Sequence, residues 1–266
     1  MRDPVRALIV SGGPTHDFDA TSAELVALLA DQGVASTITT DVEEAFVTLG
    51  ATTGTRSLPH VLVVNALRWQ MLADRYAHQR AEFAIALSPT ARSAFERWLG
   101  DGGRLLAMHT AVICFDDWPE WGDALGAAWQ WDHSSHPPYG PIRVAEAPGA
   151  PLHAHRGAGK QPAGAFVLAD EAYSCLDHRV PLDPWLTVTA DGVEDPQPAM
   201  WARQVDRGRV FVDTLGHDIE SLRHPDHRAW LAIGLRWLLQ DGADCAPAEP
   251  LPPTVSNQEG PNHAFT

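Results

Sequence analysis

The chain has 266 residues and carries 34 acidic side chains against 19 Lys and Arg, a net charge of −15. That length suits one large domain with a sizeable core, and the acidic field argues against nucleic acid and anionic membrane surfaces as partners. No apolar run approaches the ~20 residues that span a bilayer, and Cys114, Cys175 and Cys245 lack the paired spacing of a disulfide framework.

Met1-Arg2-Asp3-Pro4 runs straight into Val5–Val10 without the pattern of a secretory signal, so a cytoplasmic location is expected. Val5–Val10 reads as a buried strand, stopped by Ser11-Gly12-Gly13-Pro14. Thr21–Gln32 has helical periodicity, with Leu25, Leu28 and Leu29 on one stripe and Gly33 just past its end. Ala35–Thr40 is a second strand. Asp41 is placed to cap a short helix, Val42–Leu49. His60–Asn65 is a third strand. Ser88-Pro89 starts a helix, with Ser as N-cap and Pro in the first turn, and Asp101-Gly102-Gly103 ends it before a fourth strand, Arg104–His109. Such alternation implies a mostly parallel sheet with helices on both faces.

Past residue 110 the pattern becomes denser in Pro, Gly, Trp and His. Short strands are predicted at Ile142–Ala145, Phe166–Ala169, Leu186–Ala190 and Ala199–Val205. Asp206-Arg207-Gly208 turns into Arg209–Thr214 as a hairpin. His224–Gln240 is a closing amphipathic helix, with Trp230, Ile233, Trp237 and Leu238 facing inward. Residues 1–242 read as one domain and 243–266 as a Pro-rich irregular tail.

Open parallel sheets bind ligands beyond the carboxyl ends of their strands. Three predicted strands lead to a histidine there: His16 after the first, His109 at the end of the fourth, and His217 after the last. A single such histidine is commonly structural, whereas three together point to a site, and His109 and His217 are expected to share one pocket. Asp170-Glu171-Ala172-Tyr173 follows another predicted strand. Its acids and Tyr suit hydroxyl binding, metal binding or proton transfer, or else a solvated turn. Trp118 through Trp131 is rich in flat aromatic faces, which suit either sugar rings or plain packing. His133, His136 and the pair His153 and His155 offer further imidazoles. Ser11-Gly12-Gly13 matches no phosphate-binding pattern and reads as a tight turn.

The run Gly102-Gly103-Arg104-Leu105-Leu106-Ala107-Met108-His109-Thr110-Ala111 resembles the central motif of ThuA-like (trehalose utilisation) proteins. So do Asp117-Trp118-Pro119, His136-Pro137, Asp170-Glu171-Ala172-Tyr173, Pro198-Ala199-Met200-Trp201, Gly208-Arg209-Val210-Phe211 and Leu215-Gly216-His217-Asp218, in that order, across about Val5 to Leu239. The resemblance implies a flavodoxin-like α/β fold of the class I glutamine amidotransferase-like superfamily and a ligand that is a sugar or disaccharide derivative. Amidotransferases of this fold present a nucleophilic Cys on a strand-to-helix elbow. Here His109 stands at that place and Cys114 lies five residues on, so a glutamine-hydrolysing triad is not expected.

The favoured reading is an enzyme, a hydrolase, lyase or isomerase, with His109, Glu171 and His217 as catalytic groups. His16, His136, Asp170, Tyr173, Trp118 and Asp218 would bind substrate. In one version His16, His109 and His217 hold a zinc-like divalent ion. In the other, His109 is a general base without metal. A non-catalytic sugar-binding or regulatory module is the alternative, and a Cys hydrolase using Cys114 or Cys175 the third reading. Flavodoxin-like domains often pair, so a homo-oligomer is compatible with the fold.

Overall fold

In the computed structural model, which describes residues 5–51, 58–148, 150 and 162–240, strand and helix alternate through the first half of the chain. Strand β1 (Arg6–Gly12) is followed by α1 (Phe18–Asp31), β2 (Ala35–Thr39), α2 (Val42–Thr48), β3 (Val61–Ala66), α3 (Arg80–Phe83), α4 (Pro89–Gly100) and β4 (Arg104–Met108). Polar caps set the helix starts. The Asp41 carboxylate accepts the Glu44 N–H, and the Ser88 hydroxyl accepts the Ala91 N–H ahead of Pro89. Helix α1 begins three residues before the predicted Thr21, because the Asp17 carboxylate accepts the Ala20 N–H and caps an earlier turn.

A 3-10 segment, His109–Ile113, leaves β4 and leads to α5 (Pro119–Leu125). Strands β5 (Ala127–Ala128), β6 (Gly140–Glu146), β7 (Ala165–Asp170), β8 (Asp177–His178), β9 (Pro184–Thr189), β10 (Gln197–Val205) and β11 (Gly208–Asp213) follow, and α6 (Ile219–Arg223) and α7 (Pro225–Leu239) close the fold. Helices α5 and α6 span seven and five residues, too few to display a period, and went unpredicted. The expected tail 243–266 and the pair His153 and His155 lie outside the described residues.

One sheet has the order β2-β1-β3-β4-β11-β10-β9-β6-β7. Its first five strands are parallel. They follow the flavodoxin-like winding, which reverses direction between β1 and β3. The Asp206-Arg207 turn folds β10 back on β11, and β10, β9, β6 and β7 continue the sheet antiparallel. The sheet is therefore more mixed than alternation in the first half alone implied. Among the described residues, no helix is long and apolar enough to cross a membrane.

Both faces of the parallel part are buried, and alternate residues divide between them. Ile9, Val61, Val63, Leu106 and Phe211 face α1 and α7, against Leu25, Leu29, Trp230 and Ile233. Val10, Leu62, Val64, Leu105 and Val212 face α2, α4 and α5, against Phe46, Phe95 and Trp121. Gly234 lets α7 lie directly on β11, since a Cβ there would sit 2.1 Å from the Phe211 ring. Gly234→Ala removes a helix-weakening glycine worth about 1 kcal/mol. The forced shift of packed helix and ring is expected to cost more, giving a net loss of about 1–3 kcal/mol. A thermal melt of the variant checks this, and an unchanged or raised midpoint would refute it.

Candidate functional site

The parallel strands deliver three histidines to one place at their carboxyl ends. His16 follows β1, His109 follows β4, and His217 follows β11. Their rings lie 4.6 Å (His16 to His217), 5.1 Å (His16 to His109) and 5.5 Å (His109 to His217) apart between centroids. Glu171 joins them from the end of β7. One carboxylate oxygen, Oε2, is 3.5 Å from His109 Nε2 and 3.5 Å from His217 Nδ1. One ligand atom from each of His16, His109, Glu171 and His217 lies within 4.8 Å of all the others. Among the described residues this is the one group of three or more His, Cys, Asp or Glu side chains so placed.

Backbone contacts assign the His109 ring. Its Nδ1 is 2.8 Å from the Thr214 carbonyl, which can only accept, so Nδ1 carries the proton and Nε2 faces the cluster. The buried Tyr173 hydroxyl donates to Nε2 at 3.1 Å and its ring stacks on the imidazole. His109 itself has φ +42° directly after β4, a left-handed conformation costly for a side chain of this size. It occupies the elbow where the resemblance would place a nucleophile. His16 Nε2 and His217 Nδ1 are both buried and have no hydrogen-bond partner.

Electrostatics follow from this crowding. Burial, with His109 and His217 alongside, lowers the His16 pKa to about 4, so His16 is neutral at physiological pH and keeps a lone pair. For Glu171, burial alone would raise the pKa, but contacts from His109 and His217 outweigh it and hold the carboxyl well below the usual range. That makes Glu171 a weak base and a good anionic ligand. Glu171 in turn raises His217 against the effect of burial. Burial keeps the Tyr173 hydroxyl protonated, with Glu171 and Asp170 adding to the effect.

The remaining predicted residues divide. His136 stands at the mouth, its Nδ1 3.6 Å from Glu171 Oε1, with its ring 5.6 Å from Tyr173. Asp218 caps α6 through Ser221 N–H and accepts the Tyr139 hydroxyl at 2.7 Å, and the Tyr139 ring lies 4.9 Å from His217. Tyr139 went unpredicted, because no motif marks a lone Tyr before a strand. Two expectations are corrected. Asp170 does not face a ligand. It is fully buried, and its oxygens accept Glu171 N–H, Gly216 N–H, His217 N–H and the Ser221 hydroxyl. Trp118 is also buried, packed on Phe46, Phe95 and Trp121 beneath α2 and α4, so it belongs to the core. Trp129 does reach the site, 5.3 Å from Tyr173, and Trp131 lies 6.2 Å beyond it, held by an Nε1 hydrogen bond to Asp116. A cavity of about 470 Å³ between β2 and α2, lined by Arg6, Ile38, Thr48 and Leu58, touches none of these groups.

Cys114 is no nucleophile. Its thiol donates to the Ala66 carbonyl at 3.1 Å and accepts Arg68 N–H at 3.3 Å, and burial pushes its pKa up to about 12. Iodoacetamide is expected to label the exposed Cys175 in the native protein and to leave Cys114 unlabelled until denaturant is added, as read by peptide mass spectrometry. Native labelling of Cys114 would reopen the thiol reading.

Residues 6–238 match the family model ThuA, described as trehalose utilisation. The chain belongs to the ThuA family. Its fold is shared with a ThuA-like protein from Parabacteroides merdae ATCC 43184 at a TM-score of 0.65 and 14% identity, over 89% of this chain and 90% of that one. A ThuA-like protein from Bacteroides uniformis ATCC 8492 gives 0.60 and 16%, over 88% and 91%. A cytoplasmic protein from Salmonella typhimurium LT2 gives 0.53 and 12%, over 88% and 97%. At these identities the likeness concerns the fold alone. The chain matches no curated protein. Within the ThuA fold, His16, His109, Glu171 and His217 stand at the sheet edge where doubly wound proteins bind ligands.

Proposed function

We propose that this ThuA-family chain is an enzyme acting on a sugar or disaccharide derivative, with one zinc-like divalent ion held by His16, His109, His217 and Glu171. The observation that carries the proposal is the pair of buried nitrogens that make no hydrogen bond, His16 Nε2 and His217 Nδ1, the latter with only its 3.5 Å approach to Glu171, converging with His109 Nε2 on one carboxylate. Buried polar atoms without a hydrogen bond are costly, and an ion would satisfy both. The two 3.5 Å nitrogen-to-oxygen distances also fit. Ligands each ~2.1 Å from a tetrahedral ion lie about 3.4 Å apart. Glu171 extends the set of three histidines expected from the sequence.

Such an ion would act as a Lewis acid on a carbonyl or hydroxyl oxygen of the substrate. The chain's own groups supply the rest. Glu171, held ionised, balances positive charge at the centre rather than taking a proton. The Tyr173 hydroxyl, which donates to His109 Nε2 here, would be released if that nitrogen bound the ion and could then donate to a substrate oxygen. His136, partly exposed at the mouth beside Glu171, is placed to hydrogen-bond a substrate hydroxyl. Trp129 and Trp131 offer half-buried aromatic faces next to Tyr173, suited to the apolar face of a sugar ring.

The test is conversion of a panel of sugars, disaccharides and their oxidised derivatives, followed by proton NMR. The wild type should transform at least one class, and Glu171→Gln or chelation should abolish the change. Binding without conversion across the panel would instead support the non-catalytic module.

A further inference from the structure

Behind the cluster lies a buried polar chain that touches no ligand position directly. Asp213 ends β11, Ser221 lies on α6 and His227 on α7, and all three are buried. His227 Nε2 is 2.8 Å from Asp213 Oδ2, and His227 Nδ1 is 2.9 Å from the Ser221 carbonyl. A carbonyl can only accept, and a carboxylate is an acceptor too, so the ring donates from both nitrogens and is an imidazolium. It thereby places one positive charge between two buried carboxylates, Asp213 directly and Asp170 through the Ser221 hydroxyl.

Each end of this chain holds a part of the site. Asp213 Oδ1 accepts Leu215 N–H at 3.0 Å and so shapes the start of the loop whose Thr214 carbonyl orients His109. Asp170 accepts Gly216 and His217 N–H from the end of the same loop, and Glu171 N–H from its own strand. We infer that His227 is the positioning residue of the centre: as a buried imidazolium it binds Asp213 and Ser221 together, and through them sets His109, His217 and Glu171 in mutual reach. The role builds on the site proposed above, yet its geometry does not require that an ion be bound.

The same charge gives a pH signature. Burial opposes protonation of His227, but Asp213 and Asp170 overcome it, and the pKa is raised. The charged or titratable groups facing the ring are Asp213 from β11, Asp170 from the end of β7, and His224 at the start of its own helix. A raised folded-state value means the stabilisation is complete below the unfolded pKa of about 6.5 and fades as pH rises through the folded value. In metal-free protein, the melting temperature of the wild type should therefore fall on the alkaline side, and that of His227→Gln should fall less, keeping only the part due to other raised groups such as His217.

Imidazole ¹⁵N NMR of metal-free protein tests the role. His227 is expected to show two protonated nitrogens near neutral pH. Ser221→Ala, which deletes only a hydroxyl, and His227→Gln should both shift the His109 and His217 signals while leaving those of His60 and His178 in place. Ser221→Thr should restore them. Cobalt titration of the same variants should show roughly tenfold or greater loss of affinity, against no loss in Phe46→Leu, a core variant on the other face of the sheet. Unmoved His109 and His217 signals in Ser221→Ala, or an equal cobalt loss in Phe46→Leu, would overturn the inference. A wild type that shows the NMR shifts but binds no cobalt would refute the metal reading and leave the positioning role standing.

Discussion

Glu171→Gln is expected to weaken divalent metal binding by about a hundredfold or more, beyond the 10–100-fold typical of losing an outer partner of a ligand. The substitution keeps the size of the side chain and one carbonyl oxygen, so the fold should survive. What it removes is the single negative charge among three imidazoles. Without that charge, ion and imidazoles meet a neutral amide, and the proton on His217 loses the partner that favours it. Any turnover should fall with the metal. Zinc or cobalt titration at fixed pH measures the effect. An unchanged affinity would show that Glu171 is not a ligand and that the histidines alone, or none of them, hold an ion.

Asp170→Asn is expected to be the most destabilising isosteric change in the site. The carboxylate is fully buried and takes four donors, three backbone N–H groups and the Ser221 hydroxyl. An amide of the same shape can accept on one side only. Its NH₂ would face groups that are themselves donors, and His227 and Asp213 would lose their balance of charge. Breaking a buried charged network of this kind costs about 3–5 kcal/mol. At roughly 2–4 °C per kcal/mol for a chain of this size, the midpoint should drop by about 6–20 °C. Differential scanning calorimetry decides the matter, and a drop under about 2 °C would mean that the network carries little of the structure.

Strand ends were the most legible part of the site. Short buried apolar runs set off by Gly or Pro mark β1, β3, β4 and β11, and the histidine that follows β1, β4 and β11 is visible by eye. Hence His16, His109 and His217 were readable as neighbours before any coordinates. Glu171 and Tyr173 were readable from the short acidic run that follows β7, although no periodicity says which acid turns inward. Strand alternation decides it: Asp170, the last residue of β7, is buried under the loop after β11, and the chain then bends to bring Glu171 to the histidines. Trp118 misled because an aromatic in a loop-rich stretch carries no mark of which layer it enters. Its place was decided by packing with Phe46 and Phe95, distant in sequence. His227 falls within the helix expected over His224–Gln240 and lies in the first turn of α7. Its partner Asp213 lies fourteen residues earlier on another element, a pairing that only the fold reveals.

The most direct test of the proposed centre is the metal content of purified protein by inductively coupled plasma mass spectrometry, wild type beside His109→Ala and Glu171→Gln. The wild type should carry close to one equivalent of zinc, manganese or iron per chain after supplementation, and either variant little. A wild type that takes up no metal, or variants that retain as much as the wild type, would rule out a metal centre built on these residues.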